Sequence, residues 1–160
     1  MDLVSRSAQF SRDRQHRYRL ARWWGNGPRV TFILLNPSDA DEVDDDPTMR
    51  RCRGFAKAWG YDGFEVVNLY AFRTPYPEQL WLAKDPVGPA NDEHLEEAVV
   101  AATGPVIAGW GNEAKAARVK QVLGMRGFDR LQALKVNTGG APTHPLYVRG
   151  DAVPAPWPRS

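Results

Sequence analysis

Two stretches decide the fold: Val30-Thr31-Phe32-Ile33-Leu34-Leu35-Asn36-Pro37-Ser38 and Phe64-Glu65-Val66-Val67-Asn68-Leu69-Tyr70. Each is a short apolar run of strand length that ends in an asparagine. Continuous apolar character, rather than alternation, marks a strand buried on both faces, as parallel sheets require. Between them, Asp46-Pro47 opens a helix, with Asp46 as N-cap and Pro47 pre-set for the first turn. Met49, Cys52, Phe55 and Trp59 fall on one face of that helix.

The same alternation continues along the chain. A short helix is expected around Glu78–Ala83, a helix over Asn91–Ala102 and a strand from Val106 to Ala108. Gly109-Trp110-Gly111-Asn112 then turns into a helix over Glu113–Leu123, and Leu131–Val136 is a last strand. Upstream, His16–Trp24 alternates, and Gly25-Asn26-Gly27-Pro28 is a turn signal, so an N-terminal β-hairpin strand joins the sheet. The expected fold is α/β: three layers, α/β/α, around a short and mainly parallel central sheet. One domain spans residues 1–152, and a Pro-rich tail over 153–160 is expected to be mobile.

Composition narrows the class of protein. At 160 residues the chain is long enough to bury one core, and 42% hydrophobic with 25% charged residues is ordinary for a globular protein. Cys52 is the only cysteine, which excludes an intramolecular disulfide and points to a reducing compartment. With no membrane-length apolar run and no signal-peptide core, the expectation is a cytoplasmic protein without a membrane partner. Charge is uneven: seven arginines lie in the first 29 residues, and six acids occupy positions 39–46. That pattern reads either as a phosphate-binding face beside a functional loop or as two stretches that neutralise each other.

In parallel α/β sheets, ligands bind beyond the carboxyl ends of the strands. That rule selects the loops starting at Asn36, Asn68, Gly109 and Asn137. Asn36 and Asn68 present carboxamides that both donate and accept, and each also reads as a local strand cap. Tyr70 and Phe72 offer stacking surfaces or lid packing, and Arg73 offers a phosphate contact. Trp110 reads as a stacking wall or as core, while Gly111 and Asn112 bring backbone amides to a helix start. His144, held between Thr143 and Pro145 in a loop with Gly139 and Gly140, is a candidate donor to a developing oxyanion. His16 and His94 read as surface residues. The acidic loop fits no EF-hand, and no His/Cys pattern supports zinc, so no metal or other cofactor is assigned. Asp39 or Asp41 remains a candidate general base or electrostatic stabiliser. No Walker or Rossmann fingerprint is present.

LLNPSDAD, DDDPTMRRC, VVNLYAFR, DPVGPAND, AGWG and GAPTHPLY together resemble a bacterial and phage family known only as a domain of unknown function. More distantly, the chain resembles the uracil-DNA glycosylase superfamily. LLNPS is similar to the first motif of its mismatch-specific branch, which implies a water-positioning role for Asn36 beside Pro37 and Ser38. VVNLYAFRTP is similar to the base-reading segment of the thermophilic branch, which implies a base-edge role for Asn68. THPLYVRG resembles the histidine loop, which implies that His144 is the electrophile, supported by Pro145. Ser38 departs from the glycine usual after that proline. An iron–sulfur cluster is excluded by the single cysteine.

The resemblance implies a nucleobase-recognising protein that cleaves the N-glycosidic bond of a modified or damaged base, in DNA or a nucleotide. Asn36, Asp39 and His144 would be catalytic. Pro37, Ser38, Asn68, Tyr70, Arg73, Trp110, Asn112 and Pro145 would bind substrate. Two alternatives stand beside it: a non-catalytic binder of a modified base, and a metal-dependent hydrolase or phosphoryl-transfer enzyme using Asp39, Asp41 and Asp44.

Overall fold

A computed structural model describes residues 3–158. Seven strands form one sheet: β1 (Ser5–Phe10), β2 (Arg17–Trp23), β3 (Val30–Leu34), β4 (Gly63–Asn68), β5 (Val106–Ala108), β6 (Gln132–Ala133) and β7 (Ala155–Pro156). Their order is β1-β2-β4-β3-β5-β6-β7. Three α-helices lie among the described residues: α1 (Pro47–Ala58), α2 (Asn91–Val100) and α3 (Ala116–Leu123). Short 3₁₀ turns cover Pro77–Leu82 and Pro145–Tyr147.

The expected mainly parallel sheet is corrected to a mixed one. β4, β3, β5 and β6 run parallel. β1 and β2 add antiparallel strands at one edge and β7 at the other. The missed edges carry weak signals. β1 is largely exposed and has no apolar alternation, and β7 contains a proline, which only an edge strand tolerates.

A hairpin strand is present, but β2 pairs with β1 and β4 rather than with β3. The glycine turn wraps instead around Asp62, which accepts from the Gly27 amide at 2.7 Å. A Cβ at Gly25 would stand 2.7 Å from the Asp62 Cγ, so a side chain there would displace the carboxylate that holds the turn.

Of the tail expected to be mobile, the described residues 153–158 are strapped down, and residues 159 and 160 lie outside the described residues. The Trp157 amide donates to the Leu131 carbonyl at 3.0 Å, and its indole Nε1 donates to Gly140 at 3.1 Å.

Both faces of the central strands are buried, which accounts for their unbroken apolar runs. Phe32, Leu34, Phe64 and Val66 pack with Met49, Cys52 and Phe55 of α1. The alternate residues Ile33, Val67 and Leu69 pack with Leu95 and Val99 of α2 and Val122 of α3. Asp46 caps α1 as expected: its carboxylate accepts from the Met49 amide at 2.9 Å. No helix among the described residues is long and apolar enough to cross a membrane.

Candidate functional site

Parallel register brings the strand ends level. Leu34 pairs with Asn68, and the Gly109 amide donates to the Ile33 carbonyl at 2.9 Å, so the loops after β3, β4 and β5 leave the sheet side by side. Above these ends lies a cavity of about 730 Å³, large enough for a nucleoside-sized ligand. The loop after β3 contributes Asn36, Ser38 and Asp39. The start of α1 contributes Asp46, Pro47 and Thr48, and the segment after β4 contributes Thr74, Pro75 and Pro77. Trp110, Gly111 and Asn112 come from the loop after β5. Asn137, Thr143, His144, Leu146 and Tyr147 come from the loop after β6.

Asn36 is held rigidly. Its amide nitrogen donates to the Thr74 carbonyl at 2.8 Å and to the Pro37 carbonyl at 3.0 Å. With both N–H groups directed at main-chain oxygens, Oδ1 is the atom left to accept from a ligand or water.

His144 is half-buried, and its Nδ1 accepts the Leu146 amide proton at 3.1 Å. An accepting Nδ1 places the ring proton on Nε2, so the tautomer is set by the loop itself. Burial pushes the imidazole down to about 4, a shift that nearby Asp46 only partly offsets. At neutral pH the ring is therefore an uncharged N–H donor.

The histidine loop is braced from below. Arg51 of α1 donates from Nε to the Pro145 carbonyl at 3.2 Å and from Nη2 to the Val148 carbonyl. Pro145 packs so close to Gly109 that a Cβ there would lie 3.1 Å from its Cδ. Thr143 Oγ1 donates to Asn137 Oδ1 at 2.6 Å, and Asn137 Nδ2 donates to Asn112 Oδ1 at 3.0 Å, which ties two walls together. Trp110 is 3% exposed and meets Trp157 edge-on at 5.2 Å.

Six of the expected residues therefore meet at one cavity: Asn36, Ser38, Asp39, Trp110, Asn112 and His144. Pro37 and Pro145 are buried supports behind it. Asn68 is not among the lining residues. It shares the strand parity of Phe64 and Val66, is 1% exposed, and leaves both side-chain polar atoms without a partner. Tyr70 belongs to the other face, where its hydroxyl accepts the Lys115 amide at 3.2 Å and its ring meets Trp81 edge-on. Phe72 packs against the core on that side. Arg73 and Phe72 line an adjoining groove of about 420 Å³ that shares Ser38, Asp39, Thr74 and Pro75 with the main cavity.

His16 and His94 are not free surface groups. Both are half-buried, and they stack on Tyr18 with ring centroids 6.3 and 4.9 Å away.

Sequence reasoning missed Arg51, Asn137 and the place of Asp46 on the cavity wall near His144. Asn137 begins one of the four strand-end loops, so position alone could have flagged it. Arg51 sits on a helix 94 residues from the carbonyl it braces, and nothing local marks it.

The acidic loop is bound by arginines. Asp45 accepts from Arg22 at 2.9 Å and also meets Arg6 and Arg53. Glu42 takes both oxygens to Arg14 at 2.9 and 3.1 Å, and Arg17 donates to the Ala40 carbonyl. Asp41 accepts from the Val43 and Asp44 amides, which holds its carboxyl below the usual range. No group of three or more His, Cys, Asp or Glu side chains gathers among the described residues.

The chain belongs to the family described as protein of unknown function (DUF1643), whose model matches residues 17–146. No curated protein and no solved structure matches it.

Proposed function

We propose that this chain recognises a nucleobase in the 730 Å³ cavity and acts there as an N-glycosidase of a modified or damaged base. The same reading assigns it a three-layer α/β/α fold of the uracil-DNA glycosylase type, which the separate packing of α1 and of α2 with α3 supports. One observation carries the reading: His144, an uncharged donor with its tautomer set by Leu146, shares a cavity with the Asn36 carboxamide and a tryptophan wall.

In this reading, Asn36 Oδ1 holds the attacking water, with Asp39 positioned to take its proton. Water oxygen bonds to C1′, the C1′–N bond breaks, and its electron pair leaves with the base. Charge collects on the base carbonyl, where His144 Nε2–H donates. A neutral donor suits that task, because it stabilises the anion without surrendering its proton at neutral pH. Losing one such donor costs ~3 kcal/mol, on the order of a hundredfold in rate.

The test is mass-spectrometric detection of free base from oligonucleotides and mononucleotides carrying deaminated, oxidised or alkylated bases. Release that falls about a hundredfold in His144→Asn supports the reading. Neither release nor binding across the panel overturns it.

A non-catalytic binder of a modified base is the second reading, favoured by the commitment of both Asn36 amide protons to main-chain carbonyls. Saturable binding without turnover selects it. Of the three carboxylates a metal-dependent reaction would use, Asp39, Asp41 and Asp44, Asp41 is already spent on the Val43 and Asp44 amides.

A further inference from the structure

Most arginines of the N-terminal segment are already engaged. Arg6 and Arg22 meet Asp45, Arg14 meets Glu42, Arg19 meets Glu65, and Arg29 lies 4.3 Å over the Trp23 ring. Arg17 is 1% exposed and directed at the Ala40 carbonyl. Arg73 differs. Like Arg17 it has no carboxylate in hydrogen-bond range and donates once, from Nη1 to the Arg14 carbonyl at 3.3 Å, but unlike Arg17 it lines an open groove. Its Nε is buried without any partner. Among the described residues Nη2 also makes no hydrogen bond and, unlike Nε, is open to a ligand, where a charge-assisted bond to an anion is strong.

Arg73 lines the 420 Å³ groove, with Gln15 and Ser38 also on its wall. Neither of those side chains makes a hydrogen bond within the described residues. Two donor side chains without a bond, Gln15 and Ser38, and Arg73 with one bond therefore line one open groove. Phe10 backs it, with Arg73 4.8 Å from its ring centroid and Arg14 3.9 Å away, so Arg73 is fixed by stacking rather than by a salt bridge. Ser38 lies on both the groove and the main cavity, as do Asp39 and Thr74. The two spaces are adjoining parts of one site.

We infer that the groove at Arg73, Gln15 and Ser38 is a phosphate subsite, and that the substrate is a nucleoside carrying a phosphate on its sugar. As a nucleotide site it rests on the nucleobase reading above; as an anion site it does not. Asp39, on the shared wall, opposes the anion and limits its affinity. The shared chemistry is a sugar phosphate, whether a mononucleotide or one unit of a nucleic-acid strand.

Amide NMR titration tests this with four probes: inorganic phosphate, 2′-deoxyuridine, its 5′-monophosphate and a single-stranded thymidine tetranucleotide. Phosphate should shift the amides of Gln15, Ser38 and Thr74. Arg73→Gln should weaken phosphate binding roughly ten- to a hundredfold, the worth of one charge-assisted hydrogen bond, while Arg12→Gln leaves it unchanged. Asp39→Asn, which leaves Arg73 and its stacking untouched, should strengthen phosphate binding several-fold and guards against a folding defect in Arg73→Gln.

The monophosphate should bind at least tenfold tighter than 2′-deoxyuridine. A further gain for the tetranucleotide identifies a strand, and no gain identifies a mononucleotide. Equal affinity for the nucleoside and both phosphorylated probes, or phosphate binding that Arg73→Gln and Asp39→Asn leave unchanged, overturns the inference. Phosphate binding at the groove with no nucleoside shift in the His144 cavity overturns the nucleobase reading alone.

Discussion

Replacing His144 by asparagine separates the histidine's charge state from its packing. Asparagine Oδ1 can take the place of Nδ1 and accept the Leu146 amide, so the turn at Pro145 keeps its hydrogen bond. What disappears is a group whose folded pKa, about 4, lies below its ordinary 6.5 because the ring is buried. Between those two pH values the unfolded chain binds a proton that the native protein refuses. Native stability therefore falls as pH drops from 6.5 towards 4, and no more is lost from this group below about 4. Integrated from pH 7 to pH 5, the loss is at most about 2 kcal/mol, reduced by the residual solvent contact of a half-buried ring. For a chain of this size that is a few degrees of Tm per kcal/mol.

Two of the carboxylates bear on the interpretation. Asp41 is held low by two backbone amides. Asp45 is held low by Arg22 and Arg6 against its burial. Both lose their contribution only below the carboxylate range, outside the window used. His94, pushed down by burial and Arg19, titrates in both proteins and cancels in the comparison. Urea unfolding at pH 7 and pH 5 should therefore show a steeper acid loss in wild type than in His144→Asn. Equal slopes in the two proteins would refute the assignment of His144 as a buried neutral ring.

Asn68→Leu should leave stability unchanged or raise it by about 1–3 kcal/mol, because both polar atoms of a residue 1% exposed lack partners. Destabilisation by more than 1 kcal/mol would show that the carboxamide is satisfied by an internal water. Arg51→Met should reduce nucleobase binding or turnover at least tenfold while chemical denaturation shows a smaller change than a core truncation, since it releases the Pro145 and Val148 carbonyls. Intact function in that variant would show that the histidine loop holds its own shape. Trp157→Ala should destabilise by about 3 kcal/mol or less and expose Trp110, read as a shift in tryptophan fluorescence. An unchanged spectrum would mean that the tail does not shield the cavity wall.

The central strands were legible because burial on both faces leaves an unmistakable apolar run, and α1 because Asp46-Pro47 combines two independent start signals. Edge strands were not. Ser5–Phe10 needs only backbone pairing with β2, and solvent accepts its side chains. The strand read at Leu131–Val136 shrinks to Gln132–Ala133. Beyond it, Val136 turns away to bridge Pro142. Strand order lay beyond reach, since nothing in the β2 residues says that β4 will insert between β2 and β3.

The site divides along the same line. Asn36 and His144 sit in loops, where a side chain can turn to the crevice. Asn68 is the last residue of a strand, and period-two geometry commits its carboxamide to the α1 side. Equivalent positions in the sequence pattern were thus unequal by two residues, since Asn68 is level with Leu34 and Asn36 lies two beyond it.

The knot at Asp45 has a consequence for how the cavity's mouth behaves. One carboxylate holds together β1 through Arg6, β2 through Arg22 and α1 through Arg53, and the loop carrying Asp39 runs directly into it. Such a clasp is made of charge, so its firmness depends on the solution around it. Partly exposed pairs weaken as ionic strength shortens the Debye length, and a polyanion offers the arginines another partner. Arg6 and Arg53, 32% and 29% exposed, feel that screening, whereas Arg22 is fully buried and stays paired. Amide exchange at Val43 and Asp44, in the loop that leads into the clasp, would then quicken with salt.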